Sequence, residues 1–323
     1  MNKFNGFIKK MIRVFLIVLS VAVLGVVGLY LYADNAPVLS KDYIKSIETG
    51  GEIENQYLQS GSYDTSRMTV KIDKPMKRYS IYYPSELDLT DRTYPLVFIT
   101  NGTGGKATKY KPAYDRLASW GFVVVGNQDK GTGTGKSASL TLQYMLDENN
   151  NESSIFYQKI DTENIGITGF SQGGAAVMSA VTAYENSNFF KTAVSLSPLN
   201  EQTASGVGYP YDLTKIHIPI MMLAGTEGDF ETEVVIPFEA MNNMYEKVIA
   251  PKVMARRVGA DHDMMVYSAD GYVTAWLMWQ LQGDENAAKA FVGEEPEIQN
   301  NILYQGAKIN LNDHTKESSS SFK

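Results

Sequence analysis

The chain has 323 residues, 44% of them apolar and 20% charged, and no cysteine. That composition excludes a disordered or collagen-like chain, and the missing thiols exclude disulfides, thiolate metal sites and a cysteine nucleophile. Lys3, Lys9, Lys10 and Arg13 precede the first acidic residue, Asp34, so the chain after Ala33 carries 25 basic against 36 acidic residues, a formal charge of −11 that argues against a nucleic-acid partner.

Residues 1–13 form a basic segment, and residues 14–33, VFLIVLSVAVLGVVGLYLYA, follow without a charge. Twenty apolar residues as a helix match a hydrocarbon layer about 30 Å thick. With the cations before it, the positive-inside rule predicts a single-pass signal anchor, Met1 in the cytoplasm and the bulk of the chain outside. The alternative is a cleaved signal peptide and a secreted product, but such a peptide has an apolar region of about 7–15 residues and a small-x-small site. Leu31-Tyr32-Ala33 is a poor one. Residues 34–40 read as a tether and 316–323, with four serines, as a frayed tail.

Between them, over 41–315, β-branched runs alternate with helical stretches. Strands are predicted near 56–63, 67–73 and 77–83 as an antiparallel opening meander. Strand 95–100, helix 110–120, strand 122–126, helix 137–147 and strand 165–169 follow. Helix 172–184, strands 192–196, 219–224 and 252–258, and helices 269–281 and 285–291 complete the series. The fold class is α/β: one mostly parallel sheet of about eight strands with helices on both faces, in a single domain.

Chemistry concentrates at Gly169-Phe170-Ser171-Gln172-Gly173. The apolar strand before it and the Ala-rich helix after it supply the strand, tight turn and helix of a nucleophile elbow, with Ser171 as nucleophile. A serine hydroxyl needs a base. His217 sits at a strand mouth and His314 in the polar tail, whereas His262, in Gly259-Ala260-Asp261-His262, follows the final predicted strand, where the base belongs. The acid should lie between them. Asp229, in Gly225-Thr226-Glu227-Gly228-Asp229 after strand 219–224, is the first choice and Glu227 the reserve. Asp261 and Asp263 are expected to shape the loop. Oxyanion donors are expected at the backbone N–H of Gln172 and of Thr103, in the glycine-rich loop Asn101-Gly102-Thr103-Gly104-Gly105. No metal or cofactor is needed for this chemistry. A second glycine cluster, 130–137 (KGTGTGKS), has Lys130 where a phosphate loop has its first glycine, so no nucleotide site is predicted and the segment reads as a mobile loop on the site's rim.

The segments PLVFITNGTGG from Pro95, LASWGFVVV from Leu117, the elbow, IPIMMLAGTEGD from Ile218, GADH from Gly259, and Ala275-Trp276-Leu277 with Gly283-Asp284 resemble the α/β-hydrolase superfamily. The resemblance spans most of 77–292, in the branch of dienelactone hydrolases, chlorophyllase-like esterases and bacterial cutinases or polyester hydrolases. It implies a carboxylic ester hydrolase acting on a small-molecule, lipid or polymer ester through Ser171, His262 and Asp229. An acyltransferase or an amidase would use the same residues, and a binding module on the fold would not need them all. Polyester hydrolases of this branch place an aromatic in the oxyanion loop and a tryptophan after the strand that follows the nucleophile helix. Thr103 and Leu199 stand there instead, so an aromatic clamp is not expected. The stretch 200–215 is too short for a large lid.

Overall fold

The computed structural model describes residues 25–29, 32–73 and 75–311. Contacts divide the chain into two compact units, Met1–Val38 and Leu39–Lys323. In the first, residues 25–29 and 32–35 are helical. Most of the predicted membrane segment lies outside the described residues, as do His314 and the tail 316–323. Among the described residues no helix is long and apolar enough to cross a membrane.

The second unit is built on a nine-stranded sheet in the order β1-β2-β4-β3-β5-β6-β7-β8-β9. Its strands are β1 (Thr65–Lys71), β2 (Arg78–Pro84), β3 (Tyr94–Thr100), β4 (Val123–Asn127), β5 (Ile160–Phe170), β6 (Phe190–Leu196), β7 (Ile220–Gly225), β8 (Lys252–Arg257) and β9 (Tyr304–Asn310). β3 to β8 pair in parallel, while β1-β2, β2-β4 and β8-β9 are antiparallel. The expectation of about eight strands missed β9. Only Tyr304 of its seven residues is buried, so this edge strand carries no apolar alternation for a sequence pattern to display.

The first predicted strand, 56–63, is also corrected. Residues Glu52–Leu58 form helix α1, whose free amides at Ile53 and Glu54 donate to the Glu297 carboxylate, each at 2.8 Å. An acid 243 residues away thus caps the helix N-terminus, which sequence inspection does not reveal.

Central strands are apolar on both faces, as a sheet covered by helices requires: β4 and β7 are buried throughout. One face packs against α3 (Lys136–Asn150) and α4 (Gln172–Ala180), the helix that follows Ser171, with Phe98, Ile167 and Met222 in its core. The other packs against α2 (Lys111–Ala118) and α7 (Asp270–Gln282) through Val97, Leu223 and Trp276. α7 has apolar residues all round and is almost wholly buried. The segment before β1 lies over this second face. Tyr43 donates to Asp270 Oδ2 at 2.6 Å, and Arg116 Nε donates to the Tyr43 hydroxyl at 2.9 Å. Arg116 and Asp270 pair at 3.2 Å in full burial.

Candidate active site

β5 runs into the elbow and α4 leaves it. Ser171, at the N-cap of α4, has φ 59 and ψ −122, a region that non-glycine residues avoid. The flanking glycines are dictated by close approach. A Cβ on Gly169 would lie 1.9 Å from Thr100 Oγ1, and one on Gly173 would lie 2.6 Å from the Thr100 carbonyl. The turn is therefore wedged against the end of β3, which carries the Asn101–Gly105 loop.

The structure brings Ser171 and His262 together. His262 Nε2 is 2.9 Å from Ser171 Oγ, and both residues are buried. His262 stands in the loop after β8, where Asp261 Oδ1 accepts from the Met264 N–H and so caps the short turn that follows. Asp261 and Asp263 both face solvent, as does His217.

The carboxylate beside His262 is neither of the two expected. His262 Nδ1 lies 2.6 Å from Oε2 of Glu231, while Asp229 and the reserve Glu227 are exposed. The reason is local winding. After β7 the chain forms a π-helical turn over Phe230–Val235 with Asp229 at its N-cap, which leaves Asp229 outside and rolls Glu231 inward to full burial. Three donors serve its carboxylate: His262 Nδ1 on Oε2, and Ser197 Oγ at 2.6 Å and the Gly225 N–H at 2.7 Å on Oε1. Burial pushes the Glu231 pKa up, but these bonds outweigh it and hold the group below the ordinary glutamate value. An ionised carboxylate only accepts, so Nδ1 carries the proton and Nε2 is left to accept from the serine hydroxyl. Arg256 backs the arrangement by donating to the carbonyls of Gly225 and Ile236, at either end of the segment that bears Glu231. Burial lowers its pKa to about 10, against the opposing pull of the Glu231 charge.

The two expected oxyanion donors fall on either side of Ser171. Gln172 is the first residue of α4, so its N–H has no carbonyl one turn earlier to bond. Thr103 is exposed in the loop after β3, next to Gly102, where a Cβ would sit 3.5 Å from Ser171 Cβ. The cluster 130–137 is not a loose rim. Thr132 donates its N–H to Gln172 Oε1 at 2.8 Å and its hydroxyl to the Asn101 carbonyl at 2.6 Å, and the Gly104 N–H donates to the Lys130 carbonyl. It braces the Asn101–Gly105 loop against the elbow.

Two aromatics that sequence inspection left out frame the imidazole. The Phe170 ring is tilted against His262 with centroids 4.7 Å apart, and Phe230 meets it edge-on at 5.0 Å with 57% of its surface exposed. Phe170 was inside the motif all along. Phe230 was hidden by the same choice that passed over Glu231. Between β6 and β7 the cover is slight: α5 (Glu201–Gly206) and a single turn at Leu213–Lys215.

No curated protein matches the chain. A family model described as PET hydrolase-like matches residues 46–304, which takes in strands β1 to β8 and every residue of the site. Elbow, strand order and family model agree: the chain belongs to the PET hydrolase-like family, in the polyester hydrolase and cutinase branch of the α/β-hydrolases.

Proposed function

We propose that the protein is a serine hydrolase of carboxylic esters that works through an acyl-enzyme, with Ser171 as nucleophile, His262 as base and Glu231 as acid. The observation that carries this reading is the continuous relay from Glu231 Oε2 through His262 to Ser171 Oγ, at 2.6 and 2.9 Å. Membership of an ester-cleaving family supports it.

Ser171 Oγ attacks the ester carbonyl as its proton passes to His262 Nε2. Glu231 stabilises the imidazolium that forms. The oxyanion is held by the N–H groups of Gln172 and Thr103, each such donor contributing about 3–4 kcal/mol in related sites. His262 then protonates the leaving alkoxide, the C–O bond breaks, and the alcohol departs. Water attacks the acyl-enzyme with His262 again as base, which returns free acid and Ser171. These steps call on no group beyond these residues, the ester and water.

A polymer is not the substrate this site fits best, since Thr103 and Leu199 supply no aromatic face there. The basic residues ahead of the apolar stretch 14–33 support reading it as a membrane anchor that leaves the domain outside the cytoplasm. The described residues Val26, Val27 and Leu29 in that stretch leave their apolar side chains uncovered. Cleavage near residue 33 would instead give a secreted enzyme.

The test is labelling by a fluorophosphonate, with Ser171→Ala as control, followed by hydrolysis of p-nitrophenyl esters. Labelling lost in the variant and ester turnover in the wild type are expected. A wild-type protein that neither labels nor cleaves any ester overturns the reading.

A further inference from the structure

Behind the site, between the sheet and the α2/α7 face, lies a cavity of about 60 Å³. Its walls include Thr100, Asn101 and Gly102 on one side and Thr168, Gly169 and Phe170 on the other, so it begins one residue from Ser171 and one residue from Thr103. The rest is largely apolar: Ile99, Ala113, Leu117, Leu196 and Val273 contribute. Leu39, 4% exposed, and the Arg116–Asp270 pair complete the lining. Ile99, Tyr110, Ala113, Phe170 and Val266 are the lining residues that are only half-buried, and Phe170 packs on His262. Phe170 thus stands between the cavity and the imidazole.

Cores are packed at the density of organic crystals, and voids larger than a water are few. One set against both oxyanion loop and nucleophile strand is in the position that an acyl group bonded to Ser171 Oγ would enter. At about 10–15 Å³ per water on the same measure, its volume corresponds to roughly four to six waters. A short hydrocarbon chain fits; a fatty tail does not. Its apolar walls offer little to a hydroxylated or charged acyl group.

We infer that this cavity is the acyl pocket, and that the substrates are esters of short, apolar carboxylic acids of roughly two to four carbons, with the alcohol part left in the open cleft beside Phe230. The inference rests on the reading of Ser171 as an acylated nucleophile. It makes Ala113 and Leu39 the residues that set chain length: both line the cavity, Ala113 half-buried and Leu39 buried.

The experiment compares kcat/KM for p-nitrophenyl acetate, butyrate and hexanoate in the wild type, in Ala113→Leu, which fills the cavity, and in Leu39→Ala, which enlarges it. One methylene in an apolar pocket changes kcat/KM about 10- to 200-fold. The wild type is expected to prefer butyrate to hexanoate. Ala113→Leu should lower the butyrate-to-acetate ratio at least about tenfold, and Leu39→Ala should raise the hexanoate-to-butyrate ratio by a similar factor. Either folded variant decides the matter alone: a ratio within about twofold of wild type means that the cavity is a packing void or holds only water, and overturns the proposal. Fluorophosphonate labelling of the wild type separates the two readings. Labelling with unmoved ratios removes the acyl pocket and keeps Ser171, whereas no labelling removes the nucleophile itself.

Discussion

Ser197 Oγ donates to Glu231 Oε1 at 2.6 Å from a residue held at φ 40, a left-handed backbone at the end of β6 where nothing is exposed. The strain and the bond belong together, since the twist at Ser197 points its hydroxyl at the carboxylate that follows the neighbouring strand, β7. Ser197→Ala keeps the Cβ and hence the backbone cost, so it isolates the bond. A hydrogen bond to a charged group contributes about 1.5–3 kcal/mol. Because the Glu231 pKa is lower folded than unfolded, its stabilisation is complete above the ordinary glutamate value near 4.3 and is lost as pH falls through the folded value. The melting-temperature gap between wild type and Ser197→Ala should thus be widest at neutral pH and close below about pH 4. A gap that is constant with pH would mean that Ser197 only packs.

Glu231 and Asp229 can be told apart by amide substitution. In a comparable triad the acid-to-amide change costs about 10⁴ in kcat. Glu231→Gln should fall by that order, because Nδ1 loses the anion that fixes its proton. Asp229→Asn should stay within about twofold, as its side chain faces water. Steady-state hydrolysis of a single aryl ester reads both, and equal losses would return the role to the neighbourhood rather than to one carboxylate.

Gly173→Ala tests how tightly the elbow is set. The new Cβ would meet the carbonyl oxygens of Thr100 and Asn101 at 2.6 and 2.7 Å, both backbone atoms on the path to the oxyanion loop. Overpacking of this kind costs about 1–3 kcal/mol. Denaturant unfolding should register that loss, together with fluorophosphonate labelling slowed well beyond the stability change.

Arg116→Met probes the buried pair on the α2/α7 face. It leaves Asp270 and the Tyr43 hydroxyl without their cation, and loss of one partner of a buried pair costs about 3–5 kcal/mol. Asp270, whose pKa burial already raises despite the Arg116 charge, would then be protonated in the folded state. A midpoint in urea close to wild type would show that solvent reaches the pair.

The strand-turn-helix of the elbow and the base in the loop after β8 were legible because each depends on a few adjacent residues: Gly169 and Gly173 around Ser171, and Gly259-Ala260-Asp261 before His262. The acid depended on something else. Glu227, Asp229 and Glu231 are chemically near-equivalent and two residues apart, and a π-helical turn decides which one turns inward. That winding has no motif. The missed β9 and the helix at Glu52–Leu58 fail for a related reason, since both are polar segments whose structure is set by distant partners, β8 for one and Glu297 for the other.

Those distant partners have a consequence for how the molecule is made. Tyr43 needs Asp270, 227 residues on, and Glu54 needs Arg257, Asn301 and Tyr304. Closing such long loops is slow. During synthesis the segment nearest the predicted anchor would be the first to emerge and among the last to be fixed, waiting with its tyrosines uncovered until the chain is almost finished. Chains truncated before residue 300 should then be open to proteolysis within residues 39–63, where the full-length chain resists it.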